Sequence, residues 1–169
     1  GLLYPRFLFA ETLETKAARI LATLSLEEKV GQLFMIGERW NRPGSEEQIR
    51  RLHVGNAYLG PNDVKLLPPP AAADLTRRLQ QAALESNKGV PLLIALDQEG
   101  GLVNRLVNGF VVFPGQRDVA WKASPQKAGR LARSTARQLK AVGVSVNLAP
   151  VLDVPSRFNS PISIRKRNF

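Results

Sequence analysis

The sequence predicts an α/β chain built on a parallel sheet, and three observations carry that prediction. Short apolar runs, above all Leu33-Phe34-Met35-Ile36 and Leu92-Leu93-Ile94-Ala95-Leu96, have the composition of strands buried on both faces. Between them lie longer stretches with apolar residues at helical spacing and clear start and stop signals. Strand and helix therefore alternate, which implies right-handed crossovers and a parallel sheet. At 169 residues the chain matches one domain on a scale of roughly 150 residues per domain.

Each element has its own justification. Residues 1–10, broken by Pro5 and Arg6, are expected as an extended lead-in. Leu13, Ala17, Ile20, Leu21 and Leu24 predict a helix over 12–24 with one apolar face. Ser25-Leu26-Glu27-Glu28 is a capping box opening a short helix that ends near Gly31, and the first strand follows at 33–36. Ser45-Glu46-Glu47-Gln48 reads as a second capping box, leading through a helix to a short strand at 56–59 and a turn at Gly60-Pro61-Asn62-Asp63. Pro68-Pro69-Pro70 is expected to stiffen a loop, Asp74 to cap the next helix and Gly89 to stop it. The third strand occupies 91–96. Ser124-Pro125 then opens a helix with Ala128, Leu131, Ala132, Leu139 and Val142 on one side, closed by Gly143 before the fourth strand at 144–150. An open doubly wound sheet and a (β/α)8 barrel both fit four such units, although a whole barrel needs about 200–250 residues.

Composition excludes several classes of chemistry. With no cysteine there are no disulfides, thiolate metal sites or cysteine nucleophiles. His53 is the only histidine, so no mechanism needing two histidines fits this chain; at a short helix end it reads as a surface group. No apolar run approaches the ~20 residues of a membrane span. The net charge of +10 favours anionic surroundings such as nucleic acid, acidic lipid or an acidic wall polymer. The basic helix faces, Arg77-Arg78 and 130–140, read as solvated surface, and Arg165-Lys166-Arg167 is the densest basic cluster. A nucleic-acid surface would interleave aromatic residues with the charge, and only Phe158 and Phe169 lie near that cluster.

In either architecture function gathers where strands end. Two strands run into acids, Leu96 into Asp97 and Val151-Leu152 into Asp153. Beyond Asp97 lie Glu99, Gly100-Gly101 and Arg105. The glycines let backbone approach a ligand, the carboxylate accepts hydrogen bonds from hydroxyls, and Arg105 is placed to return to the same rim as donor or ion-pair partner. The competing reading makes Asp97 a turn cap that Arg105 neutralises. Neither a G-x-G-x-x-G motif after a strand nor a phosphate-loop G-K-[ST] occurs, so no nucleotide cofactor is indicated.

Leu26-Glu27-Glu28-Lys29-Val30-Gly31-Gln32-Leu33 resembles the opening of glycoside hydrolase family 3. Asp97-Gln98-Glu99-Gly100-Gly101-x-Val103-x-Arg105 resembles the D-Q-E-G-G-x-V-x-R segment of its β-N-acetylhexosaminidase branch. Phe113-Pro114, the run from Gly143 through Val154, and Arg167-Asn168-Phe169 are similar to later segments in the same order, with Asn168 where serine is usual. The resemblance implies a (β/α)8 TIM-barrel type of fold, with residues 1–169 a single truncated domain holding about the first four βα units.

The resemblance further implies a retaining glycosidase acting on terminal β-N-acetylglucosaminides or related β-glycosides, without metal or organic cofactor. Asp97, Arg105 and Arg167 would bind substrate, while Glu99 and Asp153 would hold their loops. The 161–167 stretch is one residue longer than the commonest pattern, which leaves Arg165 as a rival to Arg167. The family's K-H-F-P-G-H-G segment and its nucleophilic aspartate come later than Phe169, so no catalytic residue is expected here. The expected partner is a carbohydrate rather than nucleic acid, with self-association through open sheet edges. A non-catalytic carbohydrate- or partner-binding remnant is the alternative, a basic nucleic-acid-binding domain a weaker third. The compartment is left open between cytoplasm and cell envelope.

Overall fold

Four parallel strands stand side by side in chain order, β1 (Met35–Ile36), β2 (Asn56–Tyr58), β3 (Leu93–Leu96) and β4 (Val146–Asn147). The structure, a computed structural model, describes residues 11–37 and 39–153. Among the described residues seven helices accompany the strands: α1 (Leu13–Thr23), α2 (Leu26–Gln32), α3 (Ser45–Leu52), α4 (Pro61–Val64), α5 (Pro69–Ser86), α6 (Gln116–Lys122) and α7 (Pro125–Ala141). Sequential order with every pairing parallel is how a TIM-type barrel begins, whereas a doubly wound sheet reverses its order part-way.

The core lies on one face of the sheet. Ile49 of α3 and Leu75, Leu79, Ala82 and Ala83 of α5 join Ala57, Ile94 and Leu96 in one buried cluster. Side chains alternate along a strand, so the rung Met35–Asn56–Leu93 turns to the opposite face. There Leu93 is 52% exposed beside the buried Ile94.

Several sequence expectations are corrected. The first strand is not buried on both faces, because α3 and α5 cover only one: Leu33, Phe34 and Met35 are all exposed. Helix α1 forms with Thr12 as its cap, yet none of its own residues is buried; of the predicted stripe only Leu24, just past its end, is. The capping box at Ser25 is present, with Ser25 Oγ accepting from Glu28 N and Ser25 N donating to Glu28 Oε2. The one at Ser45 is not. Gly44, at φ 88°, takes the cap position, which makes Ser45 the first helical residue, and its hydroxyl donates to the Arg42 carbonyl instead.

Helix α5 begins at Pro69 rather than at Asp74, since a proline costs nothing in a first turn whose amides have no helical partner. Asp74 therefore sits inside the helix and pairs with Arg77 and Arg78. The Gly60–Asp63 turn closes into the one-turn helix α4, and α6 was not foreseen. Gly31 lies within α2, where it makes room for a close crossing: a Cβ there would stand 2.4 Å from the His53 carbonyl oxygen.

Exposed apolar surface on the open face, together with edge strands β1 and β4 unpaired among the described residues, predicts self-association of the isolated chain. Sedimentation should show a molecular weight that rises with concentration. A compact, protease-resistant monomer at all concentrations would overturn this.

Candidate sugar-binding rim

Strand alternation brings the candidate residues together. Tyr58 and Ala95 are register partners on the face opposite the core, and Asp97, two residues beyond Ala95, continues that face past the strand end. Gly37 leaves the space beside the Tyr58 ring, since a Cβ there would meet Tyr58 Cδ1 at 3.2 Å. The preceding loop is pinned by the fully buried Trp40, whose indole Nε1 donates to the Tyr58 carbonyl at 3.0 Å. The Trp40 amide donates to Asp63 Oδ1 at 2.6 Å, and Asp63 Oδ2 accepts from Gly60 N at 2.7 Å. Burial pushes the Asp63 carboxyl up, and those backbone donors pull it partly back.

Arg105 reaches Asp97 because the intervening loop is folded around Gln98. That side chain is buried; its Nε2 donates to the Leu106 carbonyl at 2.9 Å, and its Oε1 accepts from Arg105 N at 2.9 Å and Leu106 N at 3.1 Å. Asn147 at the end of β4 holds the same residue by its backbone, accepting from Gln98 N at 2.9 Å and donating to the Gln98 carbonyl at 3.1 Å. The turn itself needs Gly100: its φ is 88°, and a Cβ would lie 2.4 Å from the Pro114 carbonyl oxygen.

The outcome is a closed triad. Tyr58 Oη donates to Asp97 Oδ2 at 2.6 Å, Arg105 Nη2 pairs with the same oxygen, and Arg105 Nε and Nη2 donate to Tyr58 Oη at 3.3 and 3.0 Å. Burial raises the Tyr58 hydroxyl pKa above its ordinary value, helped by the hydrogen bond to Asp97 and opposed by Arg105. Desolvation works against the Arg105 charge, but Tyr58 and Asp97 more than restore it. Asp97 Oδ1 and Arg105 Nη1 have no hydrogen-bond partner among the described residues. Both side chains are about one-fifth exposed.

Two cavities adjoin this region, and they differ in chemistry. One of ≈ 370 Å³ lies beyond β1 and β2 and is lined by Gly37, Arg39, Arg42, Tyr58, Gly60, Asn62 and Asp63. The other, a groove of ≈ 1100 Å³, runs between α6, α7 and β4 under largely alanine, leucine and valine walls. The first is lined mainly by polar and charged groups, as a hydroxyl-rich ligand needs, whereas the groove is mostly apolar with Gln98, Glu99, Asn104, Gln116 and Asn147 among its polar residues.

Asp97 and Arg105 thus come together as the sequence reading requires, and their mutual pairing also satisfies the competing turn-and-neutraliser reading. Arg167 and its rival Arg165 lie outside the described residues. Asp153 is exposed and makes no hydrogen bond with a described residue, and the residues after it lie outside the described ones; the loop after β3 is held by Asn147. His53, distant from the rim, meets the Ser86 carbonyl through Nδ1 at 3.1 Å. Sequence reasoning missed Tyr58 and Gln98. The signal for Gln98 was an amide beside the acid, able to donate and accept at once; for Tyr58 it was the phenol in a strand otherwise made of small residues.

This rim at the strand ends, carried by Asp97-Gln98-Glu99-Gly100-Gly101, coincides with what comparison with known proteins returns. The model of the glycosyl hydrolase family 3 N-terminal domain matches residues 25–169. The chain belongs to glycosyl hydrolase family 3. Among family relatives, it is 34% identical over 131 residues to beta-hexosaminidase A of Pseudoalteromonas piscicida, covering 75% of this chain and 21% of that protein. It is 29% identical over 140 residues to the beta-hexosaminidase LpqI of Mycobacterium tuberculosis, covering 81% and 33%. The chain therefore spans only between a fifth and a third of these relatives.

Solved family 3 structures agree. A beta-N-acetylglucosaminidase from a Paenibacillus species superposes with TM-score 0.77 at 37% identity, over 85% of this chain and 27% of that one. A beta-N-acetylhexosaminidase from Beutenbergia cavernae gives TM-score 0.78 at 35% identity, over 88% and 46%. The barrel-type architecture, in partial form, follows from the sheet order and these likenesses.

Replacing Gln98 with alanine leaves the Arg105 and Leu106 amides unpaired, and should destabilise the chain by about 2–6 kcal/mol in urea unfolding, at roughly 1–3 kcal/mol per buried unsatisfied group. The Tyr58 site has a pH signature. Its pKa is raised on folding, so its contribution is complete below the ordinary value of 10.0 and is lost as pH rises through the higher folded value. Alkaline titration should show one tyrosine ionising late, a phase that Tyr58→Phe removes.

Proposed function

We propose that the chain supplies the first four βα units of a family 3 glycoside hydrolase acting on terminal β-N-acetylglucosaminides, and that its own part is to bind the sugar. One observation carries this reading. At the mouth of the sheet, Asp97 Oδ1 and Arg105 Nη1 are left without described partners while their other atoms are hydrogen-bonded, and Tyr58, which holds both residues, lines a polar cavity. A carboxylate oxygen accepts a hydroxyl hydrogen, and a guanidinium nitrogen donates to a hydroxyl oxygen, so the pair reads one or two vicinal sugar hydroxyls in both senses.

Tyr58 completes the rim. Because it is protonated at neutral pH, its hydroxyl donates to Asp97 Oδ2 and leaves Oδ1 for a ligand. The names of the relatives support the choice of an N-acetylhexosaminide, and Arg167 or Arg165 is proposed as a further donor on the same sugar. Asp97 is assigned binding rather than attack, since an arginine and a tyrosine hold it as a fixed acceptor. Hydrolysis with retention needs a nucleophilic carboxylate and a proton donor in addition, and the proposal places both beyond these four units. In that arrangement the exposed face with Met35 and Leu93 becomes the interior of the closed barrel.

N-acetylglucosamine should raise the melting temperature of the chain, and Asp97→Ala should abolish the shift while Asp97→Asn, which keeps the shape, reduces it severalfold. The purified chain should release no chromophore from an aryl N-acetylglucosaminide. A full shift in Asp97→Ala, or turnover by the chain alone, would defeat the proposal.

A further inference from the structure

Helix α7 is unlike the other long helix. Over 17 residues it contains no aspartate or glutamate, and it carries Lys127, Arg130, Arg133, Arg137 and Lys140. At 3.6 residues per turn and 1.5 Å rise, the last four fall within about 80° of arc and along about 15 Å. All are exposed. The opposite side of the helix presents Ala128, Leu131 and Leu139 toward the sheet and the apolar groove, so Arg130, Arg133 and Arg137 form a straight outward row whose last member, Lys140, also borders the groove.

On α3 and α5 most cations are neutralised, Arg51 being the exception. Arg50 pairs with Glu47 and Glu85, Arg77 with Asp74, and Arg78 with Asp74 and Glu46. None of the five cations of α7 makes an ion pair among the described residues. Like charges three and four residues apart disfavour a helix, so this row works against its own scaffold.

We propose that the α7 row is a docking surface for a linear acidic polysaccharide, which it holds while the rim binds a sugar; the choice of a glycan rests on the sugar reading of the rim. The remaining residues of this face are Gln126, Gly129, Ser134 and Ala141, with no aromatic ring to stack a nucleic-acid base and no large apolar side chain to enter a bilayer. A single straight row matches a thread better than a plane. Guanidinium forks pair with carboxylates in defined geometry, and three of the four row residues are arginine.

The test is binding of the chain to polygalacturonate, measured at several salt concentrations. The variant Arg130→Gln/Arg133→Gln/Arg137→Gln is compared with Lys16→Gln/Arg51→Gln/Lys65→Gln, which removes the same charge from exposed, unpaired positions elsewhere. The row variant should bind at least tenfold more weakly and with a shallower salt dependence, and the control within twofold of the parent. Equal weakening in both variants, no binding by the parent, or tighter row-dependent binding of oligothymidylate or of phosphatidylglycerol vesicles would overturn the proposal. The N-acetylglucosamine melting shift should persist in the row variant. Its absence from the parent, with polygalacturonate binding intact, would sink the rim reading and leave the docking surface standing.

Discussion

The side chain of Gln98 is the constraint on which the candidate site depends. An acid at the end of a strand and an arginine eight residues later have no intrinsic reason to meet, because the loop between them has many alternatives. Gln98 removes those alternatives by accepting from two consecutive amides and donating to a carbonyl at the far end of the loop. Asn147 then fixes Gln98 to the neighbouring strand. Buried amide groups are costly when unpaired, so a network in which each group has its partner holds one loop geometry in preference to others.

Around that loop the pleat of the sheet does the rest. Tyr58, Ala95 and Asp97 share a face because side chains alternate, and parallel register sets Tyr58 beside Ala95. The phenol hydroxyl is therefore within reach of the carboxylate, and Arg105 closes the triangle. One oxygen of Asp97 takes up both internal partners. Orientation and availability are thus divided between two atoms of a single carboxylate.

The two faces of the sheet have different fates. Beneath α3 and α5 lies a continuous core in which Ile49, Leu79 and Ile94 are buried, whereas Met35 and Leu93 on the other face are exposed. Similar logic separates the helices. Arg50 of α3 and Arg77 and Arg78 of α5 are matched by acids, while α7 presents unpaired arginines outward.

Local chemistry was legible in the sequence wherever a short segment decides its own conformation. The Ser25 capping box, the Ser124-Pro125 helix start, the strand running to Leu96 and the acid that follows it all depend on neighbours a few residues away. The family-level likeness located Asp97 and Arg105 as partners on one rim. Other features required tertiary structure, because they arise between residues far apart in the chain. Tyr58 joined the site across 39 residues, and Asn147 steadied Gln98 across 49. Composition and spacing encode the period of each element, but which face is covered, and which side chains converge beyond the strand ends, is settled only when the strands pair in register and the helices pack on one side of them.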